Sequence, residues 1–146
     1  MMELTKMSRE LVKSFDSYKS IYELYARQHG LQGKSLQILL WIYNNPKGVT
    51  QKYLSNRTLS TKQVINATIK TWLQKGYVTM QEYEDDRRQK VIMLTAKGNV
   101  FAQKIIIPME KIELVAIASL AVEEREQFVK LLKKYTTYLV KEMENL

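Results

Sequence analysis

The fold of this chain is decided by residues 60–83, STKQVINATIKTWLQKGYVTMQEY, where a helical pattern gives way to a strand pattern. Ser60 and Gln63 fit a capping box, in which a serine and a glutamine three residues later satisfy free amides at a helix start. Apolar residues at helical spacing predict an inward face: Ile65, Ile69, Trp72 and Leu73. The same spacing leaves four polar residues facing outward: Lys62, Gln63, Asn66 and Lys70. Gly76 ends the predicted helix.

After Gly76 the pattern is that of two strands. Residues 77–83 and 90–94 are rich in β-branched and aromatic residues, which favours strands. Residues 84–88, EDDRR, are the expected polar tip of the hairpin, because Asp tolerates turn dihedrals. Two interpretations of the tip stay open. Either Asp86 and Arg88 pair in a solvated turn, or arginines at the tip reach a narrow minor groove of DNA.

Three helices are predicted before residue 60. The first spans about 4–28, where apolar and aromatic residues recur at steps of three and four. The second begins near Ser35, a plausible N-cap, and stops at the Asn-Asn-Pro of residues 44–46. The third follows Thr50 as its cap and is expected to turn Tyr53 and Leu54 inward.

Two further helices follow the hairpin. Thr95 is expected to cap a long helix from 96 to about 120, which Pro108 interrupts and kinks because its ring removes a donor. A last helix is predicted from about 123 to 143. Its apolar face is expected to consist of Phe128, Leu132, Tyr135, Leu139 and Met143.

The segment between Glu23 and Glu82 has no acidic residue over 58 positions. The whole chain has 15 acidic residues in 146, so a segment of this length would be expected to contain about six. The same stretch carries eight cations. A surface that binds phosphates gains affinity from Lys and Arg, because their binding releases counterions. A carboxylate on that surface would repel the phosphates. The gap therefore favours a polyanionic partner, with chance or selection for a soluble basic protein as the alternatives.

The composition limits the chemistry of the chain. Cysteine is absent and His29 is the single histidine. Disulfides, thiol redox sensing and a Cys nucleophile are excluded, and a zinc site would lack its usual ligands. We interpret His29 as a residue at a helix C-terminus, with a ligand or catalytic base as the alternative. No motif for an enzyme, cofactor or metal is found. No stretch approaches 18 apolar residues, so no membrane span is expected.

Three short helices followed by a two-stranded hairpin predict a mainly α fold with a winged helix-turn-helix. The helix after residue 60 can enter a major groove and read base edges. We expect a single domain, 1–146, with the winged part at about 34–95 and dimerisation regions at about 1–30 and 96–146. The long terminal helices support a dimer, since they carry more apolar surface than one small winged domain can bury.

Four segments carry a resemblance to the MarR family of bacterial transcription regulators. They are NNPKGVTQ (44–51), LSTKQVIN (59–66), QKGYV (74–78) and DDRRQKVIMLTAKG (85–98). The most specific part is Asp86-Arg87-Arg88, followed by Leu94-Thr95. The chain resembles the family over its whole length, although Ala67 stands where many members have Arg or another polar residue.

The resemblance implies a homodimer whose terminal helices interlock and whose two winged units bind a palindrome-like operator. It implies that Arg88 is the minor-groove arginine of the wing and that Asp86 holds it. The family usually represses and often releases DNA when a small molecule binds. Tyrosines of the terminal helices pack in the core or interface, or alternatively line an effector pocket.

The expected partners are therefore double-stranded DNA, a second copy of the chain and a small-molecule effector, in the cytoplasm of a bacterium or archaeon. The alternative is a winged module that binds RNA or a protein. The expected DNA contacts are Thr50, Gln51, Lys52, Arg57, Ser60, Thr61, Lys62, Gln63, Asn66, Lys70, Arg87 and Arg88, with Asp86 orienting the wing.

Overall fold

The computed structural model describes residues 1–82 and 89–146. Within these residues it contains six helices and one two-stranded sheet. In chain order they are α1 (Leu4–Gln28), α2 (Gly33–Tyr43), α3 (Gln51–Thr58), α4 (Lys62–Gln74), β1 (Val78–Glu82), β2 (Lys90–Leu94), α5 (Ala96–Ala118) and α6 (Val122–Glu144). The predicted mainly helical fold with a small hairpin is confirmed. The chain divides into two compact units, 1–105 and 106–146.

The core of the first unit is formed by α2, α3, α4 and the sheet. α2 packs against α1, α3 and β2, and α4 packs against α3 and β1. The fully buried large side chains of these elements are Ile38, Leu39, Ile42, Leu54, Ile65, Ile69 and Ile92. α2 contributes three of these residues and contacts α1, α3 and β2, so it is a central helix of this core.

Side-chain caps fix where two of the helices begin. Thr50 Oγ1 accepts from Tyr53 N at 3.1 Å at the start of α3, and Thr95 Oγ1 accepts from Gly98 N at 2.9 Å at the start of α5. Each cap satisfies an amide that has no partner within its own helix. Both were predicted from the sequence and are confirmed. The predicted cap Ser35 is wrong, because α2 begins two residues earlier.

The hairpin is anchored to the segment that precedes α3. β1 and β2 pair antiparallel with Glu82 opposite Lys90. Val49 N donates to Ile92 O at 3.0 Å, and Ile92 N donates to Val49 O at 2.7 Å. This bridge adds a third backbone segment beside β2 and fixes the base of the hairpin against α3.

The turn between α4 and β1 is joined to the start of α5. Thr95 N donates to Tyr77 O at 3.0 Å, and Thr95 Oγ1 donates to Gly76 O at 2.6 Å. The Tyr77 ring stacks on Phe101 with centroids 4.2 Å apart. A Cβ on Gly98 would lie 1.8 Å from Tyr77 O, so this close backbone approach requires glycine. The end of α4 is thereby tied to α5 through backbone and aromatic contacts.

α1 is attached to the first unit near its C-terminal end. Tyr25 OH donates to Ile105 O at 2.6 Å, and burial raises the pKa of Tyr25. Ala26 is the one buried residue of α1. His29 Nδ1 lies 2.9 Å from Tyr25 O directly after the helix, so the predicted placement of His29 at a helix C-terminus is confirmed.

The second unit contains α6 and the C-terminal part of α5. The amide of Ala121 donates to Glu124 Oε1 at 2.8 Å, which satisfies a backbone amide at the start of α6. Arg125 Nε donates to Leu120 O at 2.9 Å, and its Nη2 donates to Ala118 O at 2.8 Å. These bonds fix the turn between the two helices. None of the residues of α6 is buried.

α5 is helical from Ala96 to Ala118 with Pro108 inside it. It ends two residues before the predicted boundary near 120, and a kink at Pro108 stays a prediction. In the described ranges, none of the helices is both long and apolar enough to cross a membrane.

Candidate nucleic-acid interface

α4 has one buried side and one polar exposed side. Ile65, Ile69 and Trp72 are between 1% and 3% exposed, which confirms most of the predicted inward face. Leu73 is 40% exposed, so its predicted inward position is wrong. The four residues predicted to face outward are all exposed: Lys62, Gln63, Asn66 and Lys70. The structure therefore presents this polar set together on the surface of one helix.

The turn between α3 and α4 contains an unusual backbone conformation. Leu59 has a φ of 50° in the left-handed region, and its side chain is 86% exposed. This conformation is costly for a branched residue and is normally taken by Gly or Asn. Lys34 Nζ donates to Thr58 O at 2.6 Å, which satisfies a carbonyl at the end of α3 just before this turn.

The left-handed turn places Ser60 inside the protein. Ser60 is 8% exposed, its Oγ accepts from Thr58 Oγ1 at 2.8 Å, and its carbonyl accepts from Ser55 Oγ at 2.7 Å. The predicted role of Ser60 as helix cap is wrong, whereas its contact with DNA stays a prediction. Thr61 is the N-cap of α4, since its Oγ1 accepts from Val64 N at 3.3 Å.

α3 supplies the other predicted contacts of this unit. Gln51 is its first residue and is half-buried, whereas Lys52 is exposed. The Arg57 guanidinium carbon lies 5.2 Å from the Trp41 ring centre and 5.3 Å from that of Tyr53. Arg57 is exposed, so these cation–π contacts hold its charge at the surface in a defined position.

The aromatic contacts of Arg57 were not predicted from the sequence. Tyr53 and Arg57 are four residues apart on one helix, a spacing that brings side chains together and would have indicated the first contact. The contact with Trp41 depends on the packing of α2 against α3, for which the sequence carries no local signal.

The charge of this surface is positive and not compensated by acids. Among the described residues, Lys52, Lys62 and Lys70 form no ion pair, and the ion pairs of α1 join Glu10 to Lys13 and Glu23 to Lys19. Because residues 24–81 contain no carboxylate, no acid of these helices can neutralise a cation on α3 or α4.

The predicted wing contacts Asp86, Arg87 and Arg88 lie outside the described residues. The strands that lead to them end at Glu82 and begin again at Lys90. The roles of these three residues therefore stay predictions.

Helices α2, α3 and α4, followed by the antiparallel pair β1–β2, define a winged helix-turn-helix protein in which α4 is the second helix of the helix-turn-helix. Comparison with known proteins then gives the family. Residues 29–89 match the MarR family model. An uncharacterized HTH-type transcriptional regulator from Staphylococcus aureus is 22% identical over 140 residues, covering 90% of this chain and 95% of that protein.

Solved structures share the fold over nearly the whole chain. A MarR family regulator from Neisseria meningitidis has a TM-score of 0.77 at 18% identity, over 94% of this chain and 96% of that one. The Staphylococcus aureus MepR–DNA complex has a TM-score of 0.69 at 18% identity, over 95% of this chain and 99% of that one. The match at residues 29–89 and the Staphylococcus aureus relative support membership of the MarR family, and the solved structures show that the fold is shared.

Proposed function

We propose that this chain is a homodimeric, sequence-specific regulator of transcription that binds double-stranded DNA and acts as a repressor rather than as an enzyme. The observation that carries the proposal is the exposed side of α4. It presents Lys62, Gln63, Asn66 and Lys70 within a stretch that has no acidic residue. A duplex is the polyanion whose major groove admits a single helix and displays hydrogen-bonding groups to it.

The polar residues of α4 suit base edges. Gln63 and Asn66 can each donate and accept at once, which matches the adjacent acceptor and donor of adenine in the major groove. Lys62 and Lys70 suit the acceptors of guanine or nearby phosphates. This helix therefore supplies sequence recognition in the proposed complex.

The residues of α3 and the helix caps suit the DNA backbone. Lys52 and Arg57 are exposed cations, and Arg57 is held by two aromatic rings. Thr50, Gln51 and Thr61 lie at the starts of α3 and α4, where free amides and the helix dipole favour phosphates. Contacts of this kind position a protein on the duplex without reading its sequence.

A winged helix-turn-helix of the same family has been solved with DNA, namely MepR of Staphylococcus aureus. That likeness supports duplex DNA as the ligand here. The wing residues Arg87 and Arg88 would add minor-groove contacts, with Asp86 orienting Arg88, as the family resemblance implies.

The proposed dimer is supported by the surfaces of α1 and α6. No residue of α6 is buried, yet its large apolar residues include Phe128 at 57% and Leu139 at 41% exposure. α1 likewise exposes Leu4, Leu11 and Phe15. Apolar surface on this scale normally marks an interface, and a second copy of the chain would present the same faces.

Release by a small molecule completes the proposal and rests on the family resemblance. A screen of small molecules for ligands that raise the melting temperature tests it, followed by titration of the protein–DNA complex with each ligand found. A stabilising ligand that dissociates the complex is expected. If none of the stabilising ligands dissociates the complex, none of the compounds screened is an effector.

Selection from a random pool of duplexes tests the proposed DNA binding. The purified protein should enrich a palindrome-like sequence, and the enriched duplex should bind far more tightly than single-stranded RNA of the same sequence. Binding should weaken steeply as salt rises, because phosphate contacts release counterions. Failure to enrich any sequence, or equal binding of the RNA, would refute the proposal and favour the RNA or protein-partner alternative.

A further inference from the structure

The exposed side of α4 carries two threonines whose hydroxyl groups are used by the helix backbone. Thr68 Oγ1 donates to Val64 O at 2.9 Å, and Thr71 Oγ1 donates to Ala67 O at 3.0 Å. A hydroxyl has one proton to donate, and in both residues the backbone takes it. Each side chain therefore offers a partner its methyl group and a hydroxyl oxygen that can accept a hydrogen bond but not donate one.

Helical spacing divides the exposed side of α4 into two parallel edges. The polar edge contains Gln63, Asn66 and Lys70, at positions i, i+3 and i+7. The methyl edge has the same spacing one position further along: Val64, Ala67 and Thr71. Side chains at such spacings lie in a row on one face of a helix. All three residues of the methyl edge are exposed, and Val64 is 40% exposed.

We infer that the methyl edge of α4 reads thymine through its C5-methyl group in the major groove, beside the bases that the polar edge reads. The inference rests on the proposed DNA-binding function. It specifies the base that one edge of α4 selects. Thymine is the base that presents an apolar group in the major groove, and apolar side chains or Thr methyl groups discriminate it by contact.

The charges around this edge favour DNA over an apolar protein surface as its occupant. Lys62 and Lys70 are exposed on the same helix, and residues 24–81 contain no carboxylate. A protein surface that covered the methyl edge would have to accept these cations, whereas the phosphates flanking a major groove attract them.

Deoxyuridine substitution tests the inference, because deoxyuridine differs from thymidine in the base only by the missing methyl group. The probe is the duplex that the protein enriches from a random pool, with each thymidine replaced in turn. At the thymidines that contact the methyl edge, affinity should fall about four-fold, the effect of one buried methyl group. Losses within two-fold at every thymidine would overturn the inference while leaving the proposed function standing.

A double-mutant cycle assigns the contact to a residue. Thr71→Ser removes the methyl group and keeps the hydroxyl, so it should weaken binding of the thymidine duplex about four-fold. The affinity of this variant should also stay the same when deoxyuridine replaces thymidine at one position in each half-site. Additive losses at every position would overturn the assignment of the contact to Thr71.

Thr137→Ser is the matched control, since the Thr137 hydroxyl donates to Lys133 O on α6 in the same way. It should bind both duplexes as the wild type does. Circular dichroism and melting temperature should show that both serine variants are folded. If no duplex is enriched at all, the proposed function fails and this inference fails with it.

Discussion

Helix α4 and the C-terminal helix α6 leave opposite kinds of surface exposed. α4 buries Ile65, Ile69 and Trp72 within its own chain and exposes a side rich in Lys, Gln and Asn. α6 has 23 residues, none of them buried, and exposes large apolar side chains such as Phe128. A polar basic surface suits a polyanion, whereas apolar surface is unfavourable in water. In the proposed function, α4 binds DNA and α6 binds a second copy of the chain.

The largest effect is expected from a charge placed on the apolar face of α6. Phe128→Lys should convert the dimer to a monomer, because a lysine there would be desolvated in the interface. Operator affinity should fall by about 100-fold or more, since two linked binding units gain at least that factor over one. Light scattering at micromolar concentration measures the mass, and titration of labelled operator measures the affinity.

Thr137→Lys is the control, because position 137 lies about half a turn around α6 from position 128 at about 100° per residue. It adds the same charge and should leave the dimer intact. A wild-type protein that is monomeric at micromolar concentration would contradict the role assigned to α6. Deletion of residues after Leu120 should remove dimerisation and operator binding together.

The wing is expected to give the next largest effect. Arg88→Ala should lower operator affinity about ten-fold or more, because a guanidinium in a narrow minor groove meets concentrated negative potential. Dimer mass and melting temperature should not change, since surface ion pairs contribute about 0–1 kcal/mol to folding. Titration of labelled operator, light scattering and thermal unfolding measure the three quantities.

Two variants sharpen this prediction. Arg87→Ala should have a smaller effect than Arg88→Ala. Asp86→Ala should act through Arg88, so the variant with both Asp86→Ala and Arg88→Ala should bind hardly worse than Arg88→Ala alone. Full operator binding by Arg88→Ala would remove the wing from the mechanism.

Phosphate contacts from α3 are expected to give a smaller and uniform effect. Lys52→Ala and Arg57→Ala should each weaken specific and non-specific duplexes by similar factors, because phosphates carry no sequence information. Each should reduce the slope of log affinity against log salt by about 0.9. Lys130→Ala on α6 is the control and should not alter the slope. A variant that changed the preferred sequence instead would show that its side chain contacts bases.

The smallest effect concerns folding rather than binding. Leu59→Asn should raise the free energy of unfolding by about 0.5–1 kcal/mol, because Asn tolerates the left-handed conformation better than Leu. Little burial is lost, since Leu59 is 86% exposed. Urea unfolding measures the change, with Val100→Asn as the control at an exposed position on α5. A decrease for Leu59→Asn would show that the leucine side chain stabilises the turn.

Features that depend on neighbouring residues were predictable from the sequence. The caps Thr50 and Thr95 were identified correctly, because an N-cap bonds to an amide three residues ahead or fewer. The helical spacing of apolar residues correctly predicted the buried side of α4, except at Leu73. That residue lies at the end of the helix, where the core no longer covers it.

Features that depend on backbone conformation or packing were not predictable. Adjacent Ser60 and Thr61 are both good caps, and the choice between them is made by the left-handed turn at Leu59, which the sequence does not signal. The same turn buries Ser60. The contact of Arg57 with Trp41 requires α2 and α3 to be packed together.

The central claim is that the exposed side of α4 reads base pairs, and repeating the pool selection with Asn66→Ala tests it most directly. The variant should show no preference for a particular base at one position in each half-site of the enriched sequence. It should also bind the wild-type operator about 1–3 kcal/mol less tightly. Enrichment of an unchanged sequence with unchanged affinity would contradict the claim and show that another face of the protein contacts the bases.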